Sequence, residues 1–371
     1  MSADAAGSLS ILRADELRDR CQLSIRLPTG RAPLMDITKA FKVLQESADA
    51  DPGQVAEARS RRDVFRKAFG PETDVVEVIP SGSLARSTQR EPINDVDVVI
   101  VFDRSAHPDW GQDGESAMEA LTYLQKRIKE LLGTADGTVD QVVRRADRKN
   151  HAVKCFLDDP DDPNAFTVDA MPALRESGGE LLVPERLNER WVRTHPEYLI
   201  ERVKERQQES SDFRPLVRVL KLWNDREGQL MKSLVIEVLA LHHLPADETR
   251  PRALQRFFQA ATNAVLSPVC DPAGLCGEIQ PDLDRQQARA LLDGAASSAW
   301  KAVNAQDQGE TDRAGCLWRE VFGDVFPEPE GGCQQGEAES GSAGFFIGTG
   351  AVAGAGEQSQ KKRPIIDAPQ G

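Results

Sequence analysis

The stretch Asp95-Val-Asp-Val-Val-Ile-Val-Phe102 constrains this chain most. An unbroken β-branched run predicts a strand covered on both faces, as in the middle of a sheet. Side chains alternate along a strand, so Asp95 and Asp97 project together and Val96 projects opposite. Two carboxylates side by side at the mouth of a buried strand repel each other unless a cation sits between them. A pair of Mg²⁺ or Mn²⁺ ions suits such hard oxygen ligands. Two ions about 3.5–4 Å apart can activate an attacking hydroxyl and stabilise a leaving pyrophosphate together.

Upstream lies Ser81-Gly82-Ser83, a small turn between the strand Asp74–Ile79 and a short helical piece. Glycine permits close backbone approach, and a helix start offers N–H groups to phosphate oxygens. Downstream, "HAVKCFLD" (His151–Asp158) and "AFTVDAMPAL" (Ala165–Leu174) read as strands joined by a hairpin turn, "DPDDPN". Asp169 in the second of them is the candidate third carboxylate. A lone Gly-Ser turn is an ordinary loop, and a lone Asp-x-Asp is an ordinary solvated strand start. The specific feature is their order: strand, Gly-Ser turn, Asp-x-Asp strand, hairpin, Asp strand.

The rest of the chain divides by pattern. Asp36–Phe69 reads as two helices broken at Pro52-Gly53, and Ser116–Gly133 as a helix with apolar residues at Leu121, Leu124, Ile128 and Leu131. A connector rich in proline and arginine carries Trp191 and Pro196. From Phe213 onward the pattern is helical, with Pro215 in the first turn of "RPLVRVLKLWND". The expected organisation is a catalytic segment over 1–212, a helical segment over 213–326, and a disordered tail over 327–371, rich in Gly, Glu, Ser, Gln and Ala.

The formal net charge of −14 over 371 residues argues against constitutive gripping of long DNA or RNA. It does not exclude a small nucleotide whose phosphates are neutralised by divalent ions. No apolar run approaches a membrane span, and the N-terminus lacks a secretory pattern, so a cytoplasmic location is expected. The scattered cysteines Cys21, Cys155, Cys270, Cys276, Cys316 and Cys333 read as reduced, structural thiols.

"GSLARSTQREPINDVDVVIVF" resembles the signature of the DNA polymerase β-like nucleotidyltransferase superfamily. More narrowly, the chain is similar to the branch containing oligoadenylate synthetase and the bacterial cyclic-oligonucleotide synthases of anti-phage (CBASS) systems. Lys221, Trp223, Ser233 and Glu237 in "LKLWNDREGQLMKSLVIE" match that branch, as does the late "CLWREVFGDVF". The resemblance covers roughly residues 36–326. It implies an α+β fold, with a palm-like, mixed-sheet nucleotidyltransferase domain followed by an all-helical domain. It also implies catalysis with two Mg²⁺ or Mn²⁺ ions on Asp95, Asp97 and Asp169. Gly82 and Ser83 would hold the donor triphosphate, with Lys221 and Ser233 reaching it from the helical segment.

The implied substrates are nucleoside triphosphates, ATP among them, joined into a cyclic oligonucleotide with release of pyrophosphate. The zinc-binding thumb of the animal relatives is absent, so activation by double-stranded nucleic acid is not carried over. A tRNA or poly(A) nucleotidyltransferase would need a basic groove. A small antibiotic-modifying adenylyltransferase is a further alternative. A non-catalytic nucleotide-binding regulator would be favoured by a lost carboxylate, and all three are present.

Helical geometry places Leu216, Val219, Leu220 and Trp223 on one apolar stripe, with Lys221 projecting away toward solvent or a cleft. Ser233 is equally an ordinary helix-start residue. Trp223, Trp300 and Trp318 read as core aromatics, and His242-His243 as a helix-end feature. The terminal Gly371 resembles a substrate for a ubiquitin-ligase-like partner, since a glycine carboxylate can enter a narrow activating site. Base choice, linkage and ring size are not encoded in any of these motifs.

Overall fold

The structure, a computed structural model, describes residues 34–133 and 141–333. Gly371 and most of the expected tail lie outside the described residues. Asp36 caps helix α1 (Ile37–Ala48), accepting from the Lys39 N–H at 3.1 Å. Asp51 caps α2 (Pro52–Phe69), accepting from the Gly53 and Gln54 N–H groups, with Pro52 in the first turn.

Strand β1 (Val75–Ser81) leads into the one-turn helix α3 (Gly82–Arg86), then β2 (Asp95–Phe102) and α4 (Ser116–Leu131). Strands β3 (Arg145–Arg148), β4 (Val153–Phe156), β5 (Thr167–Arg175), β6 (Leu181–Glu185) and β7 (Arg190–Thr194) follow. The sheet order is β1-β2-β5-β4-β3, with β6 and β7 attached beyond one end of β5. β2 and β5 run parallel, while β1–β2 and β4–β5 are antiparallel, so the sheet is mixed.

β2 is covered on both sides, as its apolar run predicts. Val96, Val98, Ile100 and Phe102 pack with Phe65 and Phe69 of α2 and with Leu121, Leu124 and Ile128 of α4. Val99 and Val101 face a smaller cluster with Ile79, Met171, Ala173, Leu181 and Val183. Each such side chain contributes about 1.5–3 kcal/mol on burial. The second face is thinner, and Asp95 and Asp97 extend it toward solvent.

The C-terminal half is helical: α5 (Pro196–Glu209), α6 (Phe213–Arg226), α7 (Ser233–His243), α8 (Arg250–Ala264), α9 (Arg285–Asp307) and α10 (Thr311–Phe322). Its core also takes Ile37, Phe41 and Leu44 from α1, and Leu199 and Val203 from α5. The Phe41 ring meets those of Trp318 and Phe326 edge to face, so α1 packs against the closing helix α10 and the residues just after it. Residues from both sides of position 212 thus share this helical core.

Three expectations are corrected here. Cys316 and Cys333 form a disulfide rather than two thiols, which fixes the start of the expected tail to α10. The connector around Trp191 contains β6, β7 and the start of α5 rather than loop. Trp223 and Trp318 are buried, but Trp300 is 58% exposed and is not a core residue. Among the described residues, no helix is long and apolar enough to cross a membrane.

Candidate active site

Strand register brings the predicted carboxylates together. Asp97 on β2 lies directly beside Asp169 on β5, and Asp95 beside Thr167. Register neighbours share a face, so Asp95, Asp97 and Asp169 all project on the side of Val99 and Met171. On the other flank of β2, Ser81 at the end of β1 pairs with Asp97.

The chain then turns through Gly82, whose φ of +72° favours glycine. A Cβ built there would sit 1.8 Å from the Asp97 Oδ2. Glycine is thus required twice, by the backbone and by the carboxylate packed against it. Ser83, partly exposed, follows in α3.

Asp95 is the most open of the three, with its side chain 54% exposed. Its Oδ1 accepts from the Thr167 hydroxyl at 2.8 Å. The Lys154 ammonium of β4 lies 3.9 Å from the same oxygen.

Among the described residues, no three acidic, histidine or cysteine side chains form a ready-made metal cage. Magnesium commonly takes one or two carboxylates and completes its shell with water and substrate phosphates. The hard oxygen donors on one face, flanked by a glycine turn, fit that mode of binding.

Lys221 is not where the apolar-stripe reading puts it. It is 4% exposed, buried between α6 and its neighbours. Its ammonium donates to Glu237 Oε1 of α7 at 2.5 Å and to the Thr88 carbonyl at 2.9 Å. Arg86, the last residue of α3, donates from Nε to Glu237 Oε2 at 2.8 Å. Burial alone would raise the Glu237 carboxyl, but Arg86 and Lys221 outweigh it and hold it at about 2.

Arg218, one turn before Lys221, donates to the Ser87 carbonyl at 2.9 Å. Arg90 pairs with Asp225. The segment after the glycine turn is therefore gripped by α6 and α7. Ser233 is the exposed first residue of α7, the helix that carries Glu237. His242 and His243 end the same helix, as expected.

Sequence reasoning missed Lys154 and Arg86. Lys154 looks like any polar position in a half-buried strand, and Arg86 like a turn residue. Only the register between β4 and β5 and the docking of α7 reveal them.

Residues 35–207 match the family model of the Second Messenger Oligonucleotide or Dinucleotide Synthetase domain. This segment, which contains Gly82, Ser83 and all three carboxylates, is similar to that synthetase domain. A probable cyclic nucleotide synthase from Bacillus cereus strain VD146 is 23% identical, with 77% of this chain and 96% of the relative covered. A CBASS oligonucleotide cyclase, CdnC, from Escherichia coli strain KTE188 is 25% identical, over 67% of this chain and 82% of the relative. The structure of E. coli MS115-1 CdnC with ATP superposes with a TM-score of 0.61 at 18% identity, covering 79% of this chain and 99% of the other. That superposition establishes the nucleotidyltransferase fold across both halves.

Proposed function

We propose that this protein is a cyclic-oligonucleotide synthase of an anti-phage system, joining nucleoside triphosphates with release of pyrophosphate. The observation that carries the reading is the placement of Asp97 beside Asp169 and against Gly82, with Asp95 on the same face. In the reaction, a ribose hydroxyl oxygen bonds to the α-phosphorus of a donor triphosphate. The bond from that phosphorus to the bridging oxygen breaks, and pyrophosphate leaves with the electron pair. A later, chemically identical step closes the ring.

Asp95, Asp97 and Asp169 would hold two Mg²⁺ or Mn²⁺ ions, which supply charge neutralisation for the attacking and leaving oxygens. Asp169 assists loss of the acceptor hydroxyl proton. Gly82 and Ser83 place backbone N–H groups against the donor phosphates, and Ser233 adds a hydroxyl from the helical half. Lys221, held by Glu237 and Thr88, supports the glycine turn from behind rather than reaching phosphate.

The relatives' names and the family match support cyclisation over transfer to tRNA or to a small molecule, and the acidic composition supports it further. The test is incubation with all four nucleoside triphosphates and Mg²⁺ or Mn²⁺, followed by phosphatase treatment and mass analysis. A phosphatase-resistant product lacking free terminal phosphates is expected. Linear, phosphatase-sensitive products alone would overturn the cyclase reading.

A further inference from the structure

We propose that Lys154 is the built-in counter-ion of Asp95 on the three-carboxylate face and competes with the divalent cations that face would hold. It thereby sets the cation concentration at which the site fills. The inference rests on the metal-binding reading of that face given above.

Lys154 stands opposite Asp169 in the antiparallel β4–β5 register, so the two side chains share a face. From β4 the lysine reaches past β5 to β2, where its Nζ lies 3.9 Å from Asp95 Oδ1. That oxygen also receives the Thr167 hydroxyl at 2.8 Å. The ammonium thus occupies ground between the strands that carry Asp95 and Asp169. Only 23% of the lysine side chain is exposed, so solvent and salt screen its charge incompletely.

A lysine there offsets carboxylate repulsion with one positive charge, the task that divalent ions would perform with more. Its flexible stem lets the ammonium move aside, but the backbone at β4 keeps it within a few ångströms of any ion on the face. Every entering cation must displace the contact with Asp95 and then bear the remaining repulsion.

Two effects of opposite sign follow from removing the charge. The metal-free protein loses a favourable contact and melts at a lower temperature. The same change strengthens cation binding. A lysine that merely braces the sheet would give the first effect without the second.

The experiment uses the full-length chain. Mn²⁺, and separately Ca²⁺, is titrated into wild type, Lys154→Met, Lys154→Arg and Asp97→Asn by calorimetry, with melting curves in chelator and in saturating cation. For Lys154→Met the binding midpoint should fall about tenfold, with a lower melting temperature in chelator and a larger gain on adding cation. Lys154→Arg should keep the wild-type midpoint within about twofold because the charge is retained. If Lys154→Met does not fold, Lys154→Gln takes its place.

A midpoint that is unchanged or raised in the neutral variant overturns the proposal, provided wild type binds and Asp97→Asn does not. If wild type binds no divalent cation, or Asp97→Asn binds as wild type does, the metal reading of the face fails and this inference falls with it.

Discussion

Two charged clusters lie on either side of the glycine turn, and they are built to opposite plans. On the sheet, Asp95, Asp97 and Asp169 share a partly open face, with Lys154 beside Asp95. Behind the turn, Arg86 and Lys221 enclose Glu237, whose side chain is 1% exposed, so two cations meet one carboxylate. The buried Glu237 charge has cations of the fold itself around it, because an uncompensated carboxylate in a low-dielectric interior costs several kcal/mol. In the reading proposed above, the open acidic face takes its cations from solution. Under the proposed function, the buried cluster serves architecture and the open one chemistry. The difference also explains why a lysine that resembles a phosphate ligand in sequence is enclosed in the fold.

That division can be broken most sharply at the open face. Asp95→Asn combined with Asp97→Asn should lower pyrophosphate release by about 10³-fold or more. Its melting temperature without added metal should be unchanged or slightly higher, since repelling charges are removed. A coupled pyrophosphate assay and a melting curve on one preparation check both halves. Retained release would return these carboxylates to a structural role.

Glu237→Gln attacks the buried cluster and should do the reverse. It leaves Arg86 and Lys221 facing a neutral amide, at a cost of about 3–5 kcal/mol in unfolding free energy. Denaturant melts measure it directly, and a loss under about 1 kcal/mol would show that the cluster is not integral to the fold.

Acid sensitivity sharpens the same point. The Glu237 carboxyl is held at about 2 in the folded chain against 4.5 as its ordinary value. A depressed folded pKa contributes stability that is fully present above the unfolded value and is lost as pH falls toward the folded one. Wild type should therefore lose stability progressively between about pH 4.5 and 2, and Glu237→Gln should show a shallower fall there. Equal acid slopes in the two proteins would contradict this assignment.

Smaller effects are expected at the turn itself and at Lys221. Gly82→Ala forces a Cβ onto the Asp97 carboxylate at an unfavourable φ, costing about 1–3 kcal/mol and displacing a side chain that the proposed mechanism uses. Activity should fall more than stability does. Lys221→Met should cost about 1.5–3 kcal/mol of stability, while the KM for triphosphate in the folded fraction stays near wild type. A large rise in KM with little loss of stability would restore Lys221 as a phosphate ligand.

Much of the site was readable in the sequence because its signals are local. The run from Asp95 to Phe102 matches β2 end to end, and the alternation that pairs Asp95 with Asp97 is a property of any strand. Gly82 was legible as a turn glycine open to close approach, but its contact with the Asp97 carboxylate comes from the β1–β2 register, which leaves no local mark. Lys221 was misplaced because the stripe argument assumes one buried face. In the fold α6 is also buried on a second side, against Thr88 and α7, contacts that span many residues and leave no periodic mark. β6 and β7 were hidden by Pro184 and by Arg190 and Arg193, which blur the alternation of short strands. The cysteine pair was hidden because spacing alone does not show that residue 333 returns to α10.

The central claim is that register across β2 and β5 makes one nucleotidyl-transfer site from carboxylates far apart in sequence. Asp169 is the residue that tests it, since it alone comes from the second strand. The decisive measurement is mass analysis of phosphatase-resistant products from wild type and Asp169→Asn, with equal folded protein confirmed by melting curves. A cyclic product from wild type and none from the variant is the predicted result. The same product at a similar rate from Asp169→Asn would contradict the account.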